Sequence, residues 1–400
     1  SFESGFSCIP LTSAAVNALG LGLQGLQFDY ETPRTLSANV SLQYALTRSL
    51  TAQASWVYTH GANLQGGVGY QNITQILPAG IDTKNCGQYA VYPDGSCVPF
   101  KDFGGGSYQA SYGISNYNGL QTKIEEQFSN GLTFLFTYTY AKALSDAGDL
   151  LNGGSTGGLR AYSIPGLGPM FDYTLADFDI RQVLHFSGGY QLPFGKGQMY
   201  MNHGGIGNAI LGGWATNWIL TLQGGQPVNF TCPTGVISGE GQCDDYLVAG
   251  QSPKLGIKTH VIDGAPRPFW VNNASAFTQA CQLADPINPD PNSVAGCLPL
   301  KGAAALGPAP GQISGPGFHR LDFSLFKTFQ LTERFSTQFR AEFFNIANHP
   351  NFNAPNFGGN GVVAIGGSGN YTDPHFGEVG STRDAPYDPR QIQFALKLYY

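Results

Sequence analysis

The chain has 400 residues and a net charge of −6, with only 12% charged residues against 13% aromatics and 55 glycines. No apolar run reaches the length of about 18 residues that a membrane helix needs, and no basic run offers a footprint for nucleic acid. Low charge, many aromatics and no long apolar run suit a β-barrel, whose membrane signal is hidden in alternation.

The first ten residues, SFESGFSCIP, lack a basic segment followed by an apolar one, so they are not a signal peptide. The expectation is a mature chain or the rear part of something longer. Residues 18–30 (ALGLGLQGLQFDY) alternate loosely and slip near Gly25; they are expected to form a strand. Residues 34–46 are cleaner. Leu36, Ala38, Val40, Leu42, Tyr44 and Leu46 share one face, with Ser37, Asn39, Ser41 and Gln43 on the other. A turn at 47–49 leads to Leu50, Ala52, Ala54, Trp56 and Tyr58, which alternate with polar residues.

A long stretch rich in Gly, Asn and Tyr runs from 61 to about 111 and holds Cys86 and Cys97. Strands are expected again at 117–128 and 132–140, joined through Ser129-Asn130-Gly131, a tight-hairpin signal. After a Gly-rich loop, 182–192 and 214–223 alternate once more. The longest irregular stretch, about 226–317, carries Cys232, Cys243, Cys281 and Cys297 and many prolines; connections this long are usually functional. Residues 320–330 and 335–343 then form an expected pair across a short turn at 331–334. The chain closes on RQIQFALKLYY, where Ile392, Phe394, Leu396, Leu398 and Tyr400 form one apolar face ending on an aromatic.

The fold expected is therefore all-β: an antiparallel transmembrane β-barrel segment of about ten strands, with short periplasmic turns and long extracellular loops. Parity supports it. If the last strand ends on the periplasmic side, the turns on that side fall at 331–334, 193–213, 129–131 and 47–49, and three of these are the tightest in the chain. The outer loops then fall at 347–388, 226–317, 145–177 and 61–111, which are the four longest.

All six cysteines from Cys86 onward lie in expected outer loops, as neighbours Cys86/Cys97, Cys232/Cys243 and Cys281/Cys297. Disulfides there would face an oxidising environment; the spacing leaves their connectivity open. Cys8 is left over and points to a partner outside this segment.

Five stretches resemble one family in combination: YNGLQTKIEEQFSNGLTFLFTYTYAKALSD (117–146), DIRQVLHFSGGYQLPFGKG (179–197), LGGWATNWILTLQGGQPV (211–228), RLDFSLFKTFQLTERFSTQFRAEFFNIANHPNF (320–352) and the terminal RQIQFALKLYY. They are similar to the C-terminal half of the barrel in Oar-like TonB-dependent receptors, which are common in Acidobacteria and related Gram-negatives. The resemblance implies outer-membrane transport of a scarce solute through a plugged barrel. It makes the terminal aromatic strand an assembly signal read by the barrel-assembly machinery. It also implies outer-membrane lipid around the strands and a TonB complex reached through an N-terminal part. A plugged barrel has about 22 strands, so residues 1–400 would be the C-terminal part, with plug, signal peptide and earlier strands absent. Alternatives are a surface protein acting in adhesion or export, or a stand-alone ten-stranded barrel such as an outer-membrane protease.

Chemistry is sparse. The seven histidines show no metal-ligand spacing, and no nucleophile has a partner in reach, so neither an enzyme nor a cofactor is expected. Asp172, Asp177 and Asp179 are expected to be a loop-to-strand junction rather than a cation site, and Asp244 and Asp245 plain solvated loop. Loop aromatics Tyr89, Tyr92, Phe269 and Trp270 are the candidate ligand platforms. Arg340 and Glu342 are expected inside the barrel, pairing with each other or with a plug, or equally contacting substrate. Lys327 and Glu126 break the alternation on the lipid side, where Lys327 is expected to snorkel.

Overall fold

The computed structural model describes residues 22–64, 113–146, 173–176, 178–202, 204–228, 244–281, 290–300, 311–332, 334–355, 371–384 and 388–400, with short isolated pieces between them. Nine long strands follow one another, each antiparallel to the last. They are β1 (Arg34–Ala45), β2 (Leu50–Leu64), β3 (Gly113–Ser129), β4 (Leu132–Ser145), β5 (Gln182–Gln191), β6 (Trp214–Gln223), β7 (Phe318–Gln330), β8 (Ser336–Phe344) and β9 (Gln391–Tyr399). A two-residue strand, Thr174–Leu175, pairs with β4 and brings the sheet to ten. Order in the sheet equals order in the chain. Among the described residues β1 and β9 each have a neighbour on one side only, and the sheet is not closed.

Register keeps one face apolar across all nine strands. Val40 lies opposite Trp56, Tyr44 opposite Ala52, and Ala52 opposite Ile124. Ile124 faces Phe136, Phe136 faces Phe186, and Phe186 faces Leu220. The row continues through Trp218 and Phe323 to Phe343 and Ile392. Toward the two ends of the sheet these side chains stand exposed, Val40 at 68% and Ile392 at 50%, and between them they are half-buried against one another. An apolar face this broad is stable only against another apolar medium. The opposite face is polar: Ser41 donates to Ser55 at 2.8 Å, and Lys123 pairs with Glu125 at 2.7 Å.

Aromatic packing reinforces the apolar face. The Phe186 ring lies 5.9 Å from Phe134, 6.3 Å from Phe136 and 5.5 Å from Trp218. Gly188 makes the room: a Cβ there would stand 2.6 Å from Trp218 Cζ2 and 2.6 Å from the Thr133 carbonyl.

The short turns are built by local chemistry. Asn130 and Gly131 both take positive φ, 50° and 83°, the two-residue hairpin that matches strand twist. Thr47 Oγ1 accepts from the Leu50 amide at 3.0 Å, and Thr332 Oγ1 accepts from Phe335 at 3.1 Å, closing the β1–β2 and β7–β8 turns alike.

Three expectations are corrected. Of residues 18–30, those described (22–30) hold a short strand, Gly22–Leu26, which pairs in parallel with Gly105–Gln109 outside the main sheet. Its glycines leave too few side chains for a membrane face. The 226–317 stretch is not irregular throughout: Leu255–Ile262 and Ala265–Val271 form a hairpin across Asp263 (φ 52°) and Gly264 (φ 75°). Lys327 does not snorkel. It is 3% exposed, because the β5–β6 connection folds over it.

Candidate functional site

The four long connections leave the sheet at one edge, and two of them meet. Residues 224–317 and 345–390 share a core of Val228, Phe230, Val271, Phe277, Ile313 and Phe376, with Trp270 and Tyr371 packed against it. Phe376 lies 4.5 Å from Phe230 and 5.0 Å from Phe277, ring to ring. The edge therefore carries a packed body built from loops, whose apolar contacts join the two connections.

Backbone pairing and charge hold the two connections together. The Trp270 amide donates to Gly377 at 2.9 Å and the Val379 amide to Pro268 at 3.0 Å. Arg267 Nη1 donates to the buried Glu378 carboxylate at 2.9 Å. His375 Nδ1 lies 2.6 Å from the other Glu378 oxygen, and its Nε2 lies 3.3 Å from Asp263. The Glu378 hydrogen bond, more than its charge, holds the His375 imidazole above its usual value.

The loop body is stapled to the sheet through β7 and the 345–390 connection. Arg320 bridges Asp322 at 3.0 Å and Asp384 at 3.1 Å. Asn345, 2% exposed, donates through Nδ2 to the His349 and Asp388 carbonyls, and Asn351 Oδ1 accepts from the His319 amide at 2.7 Å. Cys281 and Cys297 are disulfide-bonded with Cα atoms 4.9 Å apart. Cys232 is also in a disulfide.

Asp244 and Asp245 are not solvated: they are 1% and 2% exposed beneath the loop body. Burial, and next the neighbouring Asp244 carboxylate, push Asp245 up to about 9, so it holds its proton at neutral pH. Distant parts of the same connection close round them: the Asp245 amide donates to the Phe230 carbonyl at 3.0 Å and Gln312 Nε2 to the Asp245 carbonyl at 2.8 Å, with Tyr371 of the other connection alongside. Asp179 behaves as a junction: its Oδ1 accepts from the Ala143 amide at 2.6 Å and its other oxygen lies 3.6 Å from Arg181 Nε. Asp172 and Asp177 lie outside the described residues.

The loop aromatics separate. Phe269 is 4% exposed, packed edge-on to His260, and serves the core. Trp270 is half-buried, packed against the loop core with its indole N–H on the Ser314 carbonyl at 2.7 Å, and is the more exposed of the two. Tyr89, Tyr92, Cys86 and Cys243 lie outside the described residues, and Cys97 is placed by its backbone alone.

On the sheet's polar face, Arg340 donates to Gln338 at 2.7 Å, lies 5.0 Å above the Phe326 ring and reaches the Tyr399 hydroxyl at 3.4 Å. Its partners are these rather than Glu342. The residues of the terminal strand, Ile392, Phe394, Leu396, Leu398 and Tyr400, all stand exposed on or beyond the apolar face. Among the described residues no group of three or more His, Cys, Asp or Glu is placed to hold a metal.

A meander with one apolar and one polar face, short turns at one edge and packed loops at the other defines an outer-membrane β-barrel protein. The chain belongs to the outer membrane beta barrel domain family, which it matches over residues 1–393. Two solved structures are similar. One is the outer membrane transporter YddB from Escherichia coli, at 8% identity and a TM-score of 0.41, covering 93% of this chain and 33% of that one. The other is the FpvAI–pyocin S2 complex, at 8% identity and a TM-score of 0.35, covering 92% and 27%. The chain thus spans about a third or less of the length of these structures. No curated protein matches.

Proposed function

We propose that this chain is the C-terminal barrel part of an Oar-like TonB-dependent receptor that imports a scarce solute through a plugged barrel in the bacterial outer membrane. In this reading its role is binding and passage rather than catalysis. The observation that carries the reading is the loop body on the long-connection edge, with its own core and a disulfide, standing over a sheet whose other face is polar. Such a body is a rigid capture surface at the mouth of an aqueous passage. The open sheet favours a larger barrel, because unpaired strand edges are not tolerated in lipid. The remaining strands, a plug and the contact with TonB would come from other parts of the protein. Trp270, with Tyr89 and Tyr92, is the first place to look for solute contact. Cys86/Cys97 and Cys232/Cys243 would staple further loops as Cys281–Cys297 does.

The test is capture followed by uptake. The purified full-length protein is incubated with culture filtrate of its source, and bound small molecules are identified by mass spectrometry. A variant with residues 255–271 replaced by a short Gly-Ser turn should lose the captured compound while still assembling. Cells should accumulate that compound only when TonB is intact. Accumulation that is unchanged without TonB would contradict the proposal.

A further inference from the structure

The connection between β5 and β6 sits at the short-turn edge, yet it is far longer than its three counterparts. It contains a helix, Ile206–Leu211, with no buried residue. Ile206 is 80% exposed, Met199 79% and Ile210 60%. Ile206 and Ile210 are one helical turn apart and share a face. Asn208 points the other way, where its Oδ1 accepts from the Lys196 amide at 2.7 Å. The helix is thus oriented, polar side on the turn and apolar side outward.

Its position relative to the sheet is set by two residues of the lipid face. Trp214 and Lys327 lie directly opposite each other in the β6–β7 register, on the same side as Trp218 and Phe323. The Trp214 indole N–H donates to the Ile210 carbonyl at 2.8 Å. Lys327 Nζ donates to the same carbonyl at 3.2 Å and to the Gly212 carbonyl more closely still. The ammonium also lies over the Trp214 and Phe329 rings, at 5.4 and 5.1 Å. A cation on the last carbonyls of a helix is the favourable end of its dipole. A lysine that should have broken the lipid face instead straps this helix to it.

We infer that the β5–β6 connection is an in-plane anchor that lays Ile206, Ile210 and Met199 into the periplasmic leaflet of the outer membrane. The occupant of this apolar surface is lipid, because Trp214 and Lys327 tie the helix to the lipid-facing side of the sheet, where it continues the apolar wall. An amphipathic segment flanked by an interfacial tryptophan at the foot of a membrane wall has the composition such anchors use. A periplasmic protein would need no such continuity.

The experiment places the fluorophore NBD on single cysteines introduced as Ile206→Cys, Met199→Cys, Lys196→Cys and Phe394→Cys, with the full-length protein in phosphatidylethanolamine/phosphatidylglycerol vesicles. Phe394 reports the wall and Lys196 the polar side of the connection. The expected result is blue-shifted emission at 206 and 199, with loss of most intensity when the vesicles carry doxyl-labelled lipid, as at 394, and little change at 196. Quenching at 394 with none at 206 and 199 would overturn the anchor while leaving the barrel intact. Shielding at 206 that appears only in cells, with water exposure in vesicles, would also overturn it and assign the surface to a periplasmic protein. No quenching at 394 would remove the membrane wall and the anchor with it.

Discussion

Arg267 and Glu378 are 111 residues apart in sequence and 2.9 Å apart in space, Nη1 to Oε1. The pair joins the hairpin of one long connection to the segment of another, and the glutamate is buried while the arginine keeps some solvent. Replacing Glu378 with Ala strips a charged hydrogen-bond acceptor from Arg267 and His375 together and is expected to cost about 2 kcal/mol of loop docking. Hydrogen exchange should read this as roughly thirtyfold faster exchange at the Trp270 and Val379 amides, which pair across the joint. The strands should be unaffected.

His375 makes that joint sensitive to pH. Its imidazole is raised chiefly by the Glu378 hydrogen bond, with Asp263 adding to it and Arg267 opposing. A raised folded value means the docked state holds the proton more tightly. The contribution is complete below the ordinary histidine range, near about 6.5, and fades as pH rises through the raised value. Exchange protection across the joint should therefore fall on going from mildly acid to mildly alkaline buffer. His375→Gln should flatten that dependence.

The two faces of β9 predict opposite tolerance. Phe394 points to the apolar side and Gln393 to the polar side, opposite Glu342. Phe394→Arg is expected to cost about 2–4 kcal/mol through burial of a cation in lipid, and to reduce the assembled fraction in the outer membrane. Gln393→Arg should assemble normally. Heat-modifiable migration on gels measures both.

The Cys281–Cys297 bond closes a 16-residue separation within the loop body. Its loss is expected to destabilise that body by about 3 kcal/mol through loop entropy. Limited proteolysis under reductant, or of Cys281→Ser, should cut the 244–300 region faster while the sheet resists as before.

The strands were legible because a lipid-facing sheet writes its two faces directly into alternate residues, and the turn chemistry of Asn130-Gly131 marks where it reverses. Residues 18–30 misled because glycines at 20, 22 and 25 imitate the spacing without supplying a face. The hairpin at 255–271 had its signal in Asp263-Gly264 and in the alternation of Leu255, Ile257 and Val261, but these stand exposed rather than against a core, inside a stretch otherwise rich in proline and glycine. The loop core left no pattern at all: Phe230, Phe277 and Phe376 come from separate segments and meet only when the connections pack. Packing of distant parts of one connection likewise buries Asp244 and Asp245. Lys327 read as a defect because its partners are backbone carbonyls 115 and 117 residues away, and a carbonyl has no signature in sequence.

The central claim is that the sheet crosses the outer membrane with its long connections outside and its short turns within. The most direct measurement is labelling of intact cells with a membrane-impermeant maleimide, using Val261→Cys on the exposed hairpin and Lys196→Cys on the β5–β6 connection. The account predicts that position 261 labels in intact cells and that position 196 labels only after the outer membrane is permeabilised. Equal labelling of both in intact cells, or labelling at 196 alone, would contradict it.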